Sequence, residues 1–123
     1  MTRTIQIIHP DGFTRTYRQE GELKDTHETI AQRAFDEWNH GSACEVKDFL
    51  SAKCRSLSVG DFVGIGAAFL MVKGCGFEMV KLAYVNGVLD SIRADVAKGA
   101  PLSAMAAIHE ATSEPVWRHI ESI

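Results

Sequence analysis

The stretch that decides the fold is Thr2-Arg3-Thr4-Ile5-Gln6-Ile7-Ile8-His9-Pro10-Asp11-Gly12-Phe13-Thr14-Arg15-Thr16-Tyr17-Arg18. From Thr2 to His9 apolar and polar residues alternate, with Ile5 and Ile7 on one face and Thr4 and Gln6 on the other, the period of a strand. His9-Pro10-Asp11-Gly12 then reads as a turn. Proline sets φ, aspartate can bond its own backbone, and glycine accepts a left-handed conformation. Phe13 to Arg18 alternates again, with Phe13 and Tyr17 on one face. Two strands about a Pro-Asp-Gly turn predict an antiparallel hairpin.

Downstream of the hairpin, Gln19 to Lys24 is a polar loop containing Gly21. Asp25 or Thr26 is placed to cap the next helix, with Glu28 favourable in its first turn. Ile30, Ala34, Phe35 and Trp38 share one face of that helix, and Asn39-His40-Gly41 supplies its stop. Its polar face carries Glu28, Asp36 and Glu37. Val46, Phe49 and Leu50 share a face of a short helix over Glu45 to Lys53. Phe62 to Ile65 and Phe69 to Val72 read as a second pair of strands about Gly66-Ala67-Ala68. Gly74-Cys75-Gly76 is a break before Phe77 to Val80. Beyond Lys81, Val85, Val88, Leu89, Ile92 and Val96 recur at the helical interval until Gly99-Ala100-Pro101. Two shorter helices are expected after it, one over Leu102, Met105, Ala106 and His109, the other opened by Pro115 with Val116, Trp117 and Ile120 inward.

The expectation is therefore an α+β fold: an N-terminal β-hairpin, an acidic amphipathic helix, a second β-hairpin, then two or three C-terminal helices, as one domain over residues 1–123. A chain of 123 residues with 46% hydrophobic and 24% charged residues fits one domain with a real core. No apolar run approaches the roughly 20 residues of a membrane-spanning helix. Three cysteines, Cys44, Cys54 and Cys75, form no C-x-x-C pair, which argues against a disulfide framework or structural zinc site and for a reducing cytoplasm.

Catalytic patterns are sparse. The five histidines, His9, His27, His40, His109 and His119, show no metal-ligand spacing and read as surface or capping residues. No metal or cofactor is expected. Gly64-x-Gly66 and Gly74-x-Gly76 complete no phosphate loop and read as turns and bends. Ser58 lacks the G-x-S-x-G elbow. Cys75 between two glycines is a remote candidate nucleophile, because a reactive thiol also needs a depressed pKa and a nearby base.

Charge is more informative. A net charge of −3 argues against a general nucleic-acid coat, which is normally basic. Between Glu20 and Asp48 eight acids face three bases, a balance of −5, while ten bases and eight acids elsewhere leave +2. Glu28, Asp36, Glu37, Glu45 and Asp48 are the candidate partner-binding face. Arg3, Arg15 and Arg18 near the first hairpin, with Arg118 and His119, are the alternative contacts for a nucleic acid.

Arg55-Ser56-Leu57-Ser58-Val59-Gly60-Asp61-Phe62-Val63, then Phe69-Leu70-Met71-Val72 and Gly76-Phe77-Glu78, form a distinctive block within residues 55–80. It resembles the S-L-S-V-x-D-V … Y-x-V-x-x-x-G-F-x-E block of YodL-like domains, over about a fifth of the chain. Here Phe62 precedes the usual aliphatic position, Phe69-Leu70 replaces the aromatic pair, and Lys73-Gly74-Cys75 replaces a more polar approach to Gly-Phe. The resemblance implies a small accessory protein of phages, plasmids or integrative elements. Most such domains have no assigned biochemical activity. Together with the small size, the absent catalytic constellation and the acidic segment from Glu20 to Asp48, the resemblance leads to the expectation of a non-enzymatic protein that binds a host protein complex, for example as an anti-CRISPR or antirestriction inhibitor. The alternative is a small nucleic-acid-binding regulator of the element. A dimer is compatible with either. Ser56 and Ser58 are suited to satisfy backbone at the start of the strand and Asp61 to hold the turn into it, which makes the block a folding signature rather than an active site.

Overall fold

A computed structural model describes residues 1–97. Five strands form one antiparallel sheet: β1 (Thr2–His9), β2 (Phe13–Glu20), β3 (Phe62–Ile65), β4 (Ala68–Val72) and β5 (Phe77–Val80). Their spatial order is β2-β1-β3-β4-β5. Helix α1 (His27–Glu37) and the short α2 (Lys47–Ala52) lie between β2 and β3 in sequence, and α3 (Leu82–Ala97) follows β5.

The mixed α+β class is observed. In detail, α2 precedes β3, and β5 extends the second pair of strands into a three-stranded meander. Of the C-terminal helices expected from sequence, α3 falls among the described residues. Those over Leu102–His109 and Pro115–Ile120 lie outside them.

The hairpin register sets the two faces. Ile5 opposes Tyr17, Ile7 opposes Arg15 and His9 opposes Phe13, so odd-numbered residues of both strands share one face. Gly12 closes the turn with φ +125, and its amide donates to the His9 carbonyl at 3.1 Å. On the odd face Ile5, Ile7, Phe13, Tyr17 and Val63 meet Ile30, Ala34 and Trp38 from α1 and its end, and Phe49 of α2. The Trp38 ring centre sits 5.3 Å from Tyr17 and 5.5 Å from Phe49, both in tilted contact. Phe35 reaches across to Phe77 of β5 at 6.5 Å, edge to face. On the even face Ile8, Phe62 and Phe69 form a second core with Leu82, Val85 and Leu89 of α3. Both faces are thus covered. Gln6, an outward residue by its alternation, is fully buried. Gly64 in β3 sits where a Cβ would stand 3.1 Å from the Phe69 ring and 3.3 Å from Gln6 Cβ, a tight fit that a neighbour would have to yield to. Its role is close packing within the sheet.

Candidate functional site: an acidic groove along α1 and a clasp at the first hairpin turn

Helix α1 begins where the sequence places it. Thr26 Oγ1 accepts from the Thr29 amide at 3.2 Å, and Glu28 stands in the first turn. The helix closes at Glu37, and the chain turns through Gly41 at φ +83 while the Ser42 hydroxyl donates to the Asp36 carbonyl. Ile30, Ala31 and Ala34 face the core, which leaves Glu28, Gln32 and Asp36 on an outward row at intervals of four. Together with Thr29, Arg33 and Cys44 these residues line an open groove of about 690 Å³.

The five acids singled out by charge occupy different environments. Glu28 and Asp36 line the groove and make no ion pair among the described residues; the Asp36 carboxylate accepts from Gln32 Nε2 at 3.2 Å. Glu37 lies at the groove wall, but its carboxylate turns to the sheet and accepts from the Tyr17 hydroxyl at 2.6 Å and Gln19 Nε2 at 3.1 Å. Burial and then this bond to Glu37 push the Tyr17 pKa well above that of an ordinary phenol, so the hydroxyl stays a donor. Glu45 accepts from the Gly41 amide at 3.2 Å. Backbone N–H groups of its own residue and of Gly41 hold its carboxyl below the usual range. Asp48 is exposed in the first turn of α2 and does not line the groove.

Arg33, the one base lining the groove among the described residues, is engaged. It donates to the Glu20 carbonyl at 3.0 Å and to Asp25 Oδ2 at 3.2 Å. Asp25 also accepts from Arg3 at 2.7 Å and from the Glu22 amide at 2.9 Å. The Glu22 amide first, then Arg3, lower the Asp25 pKa to about 2. Glu28 and Asp36 are thus the groove carboxylates turned outward, while Glu37 keeps its charge but is bound to neutral donors on the sheet, and Arg3 and Arg33 share the single carboxylate of Asp25.

The three arginines of the nucleic-acid alternative do not share one surface. Arg3 and Arg15 are on the helix-covered odd face, and Arg18, opposite Thr4, is on the other. Arg3 is nine-tenths buried against Asp25, and the Arg15 guanidinium rests 5.3 Å above the Phe13 ring. Arg118 and His119 lie outside the described residues.

At the first hairpin turn, the Arg55–Asp61 block forms a clasp. Asp61 is buried, and Arg55 grips it with two bonds of 2.6 and 2.8 Å. Asp61 also accepts from the Ser58 amide at 2.8 Å, while its own amide donates to the Ser58 carbonyl at 3.0 Å. His9 Nδ1 lies 3.0 Å from the same carboxylate. Arg55 reaches on to Asp11 in the first turn at 3.2 Å. Burial works to raise the Asp61 pKa, yet Arg55, His9 and Ser58 outweigh it and the net direction is down. An ionised Asp61 only accepts, so Nδ1 of His9 carries the proton of that bond. Ser56 accepts from the His40 amide at 2.8 Å. The block joins the first hairpin turn to the start of β3.

His9 is thus a core residue, 1% exposed, and not a surface or capping histidine. The Ile5 and Ile7 alternation carries the signal, since position 9 continues the same inward row. Cys54 is buried, and desolvation pushes its thiol up to about 11; Cys44 and Cys75 are exposed. Cys75 sits on the turn between β4 and β5, which comes close to α1: a Cβ at Gly76 would stand 3.7 Å from Glu28 Oε1. Among the described residues no group of three or more His, Cys, Asp or Glu side chains is arranged to hold a metal ion. None of the described helices is long and apolar enough to cross a membrane. No family model, curated protein or solved structure matches the chain.

Proposed function

We propose that the protein is a non-enzymatic accessory protein of a mobile genetic element that binds a host protein complex through the α1 groove. The occupant is a Lys- or Arg-bearing segment of that complex. The observation that carries this reading is the pair Glu28 and Asp36, two turns apart on one helix row, with the neighbouring base Arg33 already committed to Asp25. Two carboxylates about 12 Å apart along the helix match basic side chains two turns apart on a partner helix, or about four residues apart on an extended one. The platform under them is stiff. Thr26 caps α1, Glu37 ties its end to Tyr17 and Gln19, and Trp38 anchors it in the core. A prepared surface loses little entropy when a partner docks.

The mobile-element setting rests on the resemblance of residues 55–80 to YodL-like domains, and inhibition of a host defence complex is the proposed consequence of binding. The clasp supports assigning that block to folding, because its polar side chains are spent on one another. Nucleic-acid binding through Arg3, Arg15 and Arg18 draws no comparable support, since those side chains are split between two faces. The test is capture of host proteins by the full chain and by a Glu28→Lys/Asp36→Lys variant. The reading expects a specific partner lost with the variant; capture unaffected by charge reversal rejects the groove as the contact.

A further inference from the structure

The sheet has two edge strands among the described residues, and they differ. Strand β2 ends one side, where Arg33 covers the Glu20 carbonyl at 3.0 Å and Arg18 stands exposed. Charge along an edge discourages an added strand. Strand β5 ends the other side. It contains no proline, and its register with β4 runs unbroken from Phe77 to Val80. The Lys73 amide donates to the Gly76 carbonyl at 3.0 Å, which makes positions 73 and 76 a bonded pair. Bonded pairs alternate along an antiparallel ladder, so Glu78 and Val80 bond to β4, opposite Met71 and Phe69. The amides and carbonyls of Phe77 and Met79 therefore point to the open edge, and no described residue bonds them.

The side chains on this edge alternate in character. Phe77 and Met79 share the α1 face of the sheet, where Phe77 meets Phe35 and Met79 is 61% exposed. Glu78 lies between them on the α3 face, opposite Met71, which packs against the α3 core. Lys73 stands 3.4 Å from Glu78 with both side chains about half exposed, a pairing that water leaves weak. At the end of the strand Ala67, Phe69, Met79 and Leu82 line an apolar notch of about 250 Å³. These features choose between occupants. A second copy that pairs its β5 antiparallel with this one engages every outward group only by setting Phe77 opposite Met79, and that register brings the two Glu78 carboxylates face to face. Like charges directly opposite destabilise a strand pair. A strand of another protein with a cation at that position gains from the same carboxylate, and the residues beside the cation fall next to Phe77 and Met79.

We propose that the β5 edge takes an extended segment of a protein partner as an added strand, with Lys or Arg opposite Glu78 and an apolar residue on each side of it. Main-chain bonds to Phe77 and Met79 supply the pairing, and the alternating side chains select the sequence. The contact does not use the α1 groove, so either assignment can fail alone.

The test is amide hydrogen exchange, read by NMR on the full chain with and without about 1 mM of the end-blocked peptide Thr-Val-Lys-Val-Thr. In the free protein the amides of Phe77 and Met79 should exchange freely while those of Glu78 and Val80 are protected. The peptide should slow Phe77 and Met79 by about fivefold, and Thr-Val-Glu-Val-Thr should leave them nearly unchanged. In Glu78→Lys the preference should reverse, with the Glu-centred peptide giving the protection; a Val80 amide that stays protected shows that the variant is folded. Phe77 and Met79 amides already protected in the free chain, or no slowing by the Lys-centred peptide, overturns the proposal. Equal slowing by both peptides, or a preference that Glu78→Lys does not change, does the same. Protection that grows with protein concentration in the absence of peptide also overturns it, in favour of a second copy at the edge.

Discussion

Replacing Asp61 tests the clasp, and the structure sets the size of the effect. Its side chain is 3% exposed and accepts two bonds from Arg55, one from the Ser58 amide and one from His9. Asp61→Ala leaves His9 Nδ1 and the Ser58 amide without that acceptor in a buried setting, at about 1 kcal/mol or more each. Arg55 is 37% exposed and keeps Asp11, so solvent offsets much of its loss and about 1 kcal/mol remains. The sum is about 3 kcal/mol, a substantial part of the roughly 5–15 kcal/mol that holds an ordinary domain together. In thermal unfolding it corresponds to a fall of about 10–15 °C for a chain of this size. Asp11→Ala removes only the half-exposed arm of the same network and should cost less than about 0.5 kcal/mol. The pH dependence has a definite sign. The folded-state pKa of Asp61 is lowered, so its contribution is present above the unfolded value near 3.9 and is lost as pH falls through the folded value. The stability gap between the native chain and Asp61→Asn should therefore shrink as the pH falls below about 4. Urea unfolding across that range measures it. A cost below about 1 kcal/mol for Asp61→Ala, or a cost for Asp11→Ala as large as for Asp61→Ala, would refute the assignment of the clasp to Asp61.

Two further expectations follow from the same geometry. An NMR titration of side-chain carboxyls should place Asp25 at about 2 and return it toward its ordinary value of 3.8 in Arg3→Met, since Arg3 is among the donors that lower it. A coloured thiol reagent at pH 8 should label Cys44 and Cys75 within minutes and reach Cys54 only on unfolding, because burial holds that thiol up to about 11; prompt labelling of all three would contradict the packing around Cys54.

What could be read from the chain follows the range of the interactions involved. The first hairpin is written in local terms: alternation through Ile5 and Ile7, a Pro-Asp-Gly turn, and Phe13 with Tyr17 on the returning strand. The inward face of α1 is equally local, because Ile30, Ala34 and Trp38 recur at the helical period. Pairing of β1 with β3 is not, since Ile7 meets Val63 across more than fifty residues of chain. Without that pairing nothing in Gln6 or Ile8 announces that the even face is covered by α3. His9 was obscured for the same reason: its inward position continues the strand period, but its partner Asp61 is 52 positions away. In the acidic face, counting charges grouped Glu37 with Asp36. The two neighbours point about 100° apart on the helix, and the fold turns one to Tyr17 and leaves the other in the groove. Glu45 and Asp48 likewise belong to the acidic segment without lining that groove.

The proposed contact of Glu28 and Asp36 with a basic segment of a protein partner is open to a direct test. The direct measurement is the dissociation constant of the partner captured by the full chain, purified and titrated calorimetrically against the native protein, Glu28→Lys/Asp36→Lys, and Asp48→Lys. Loss of two favourable charge contacts, replaced by repulsion, should weaken binding by about a hundredfold, and the defect should diminish at high salt. Asp48→Lys changes charge outside the groove and should leave the constant within about twofold. Equal affinity of the native and groove-reversed proteins, or an equal loss with Asp48→Lys, would contradict the account.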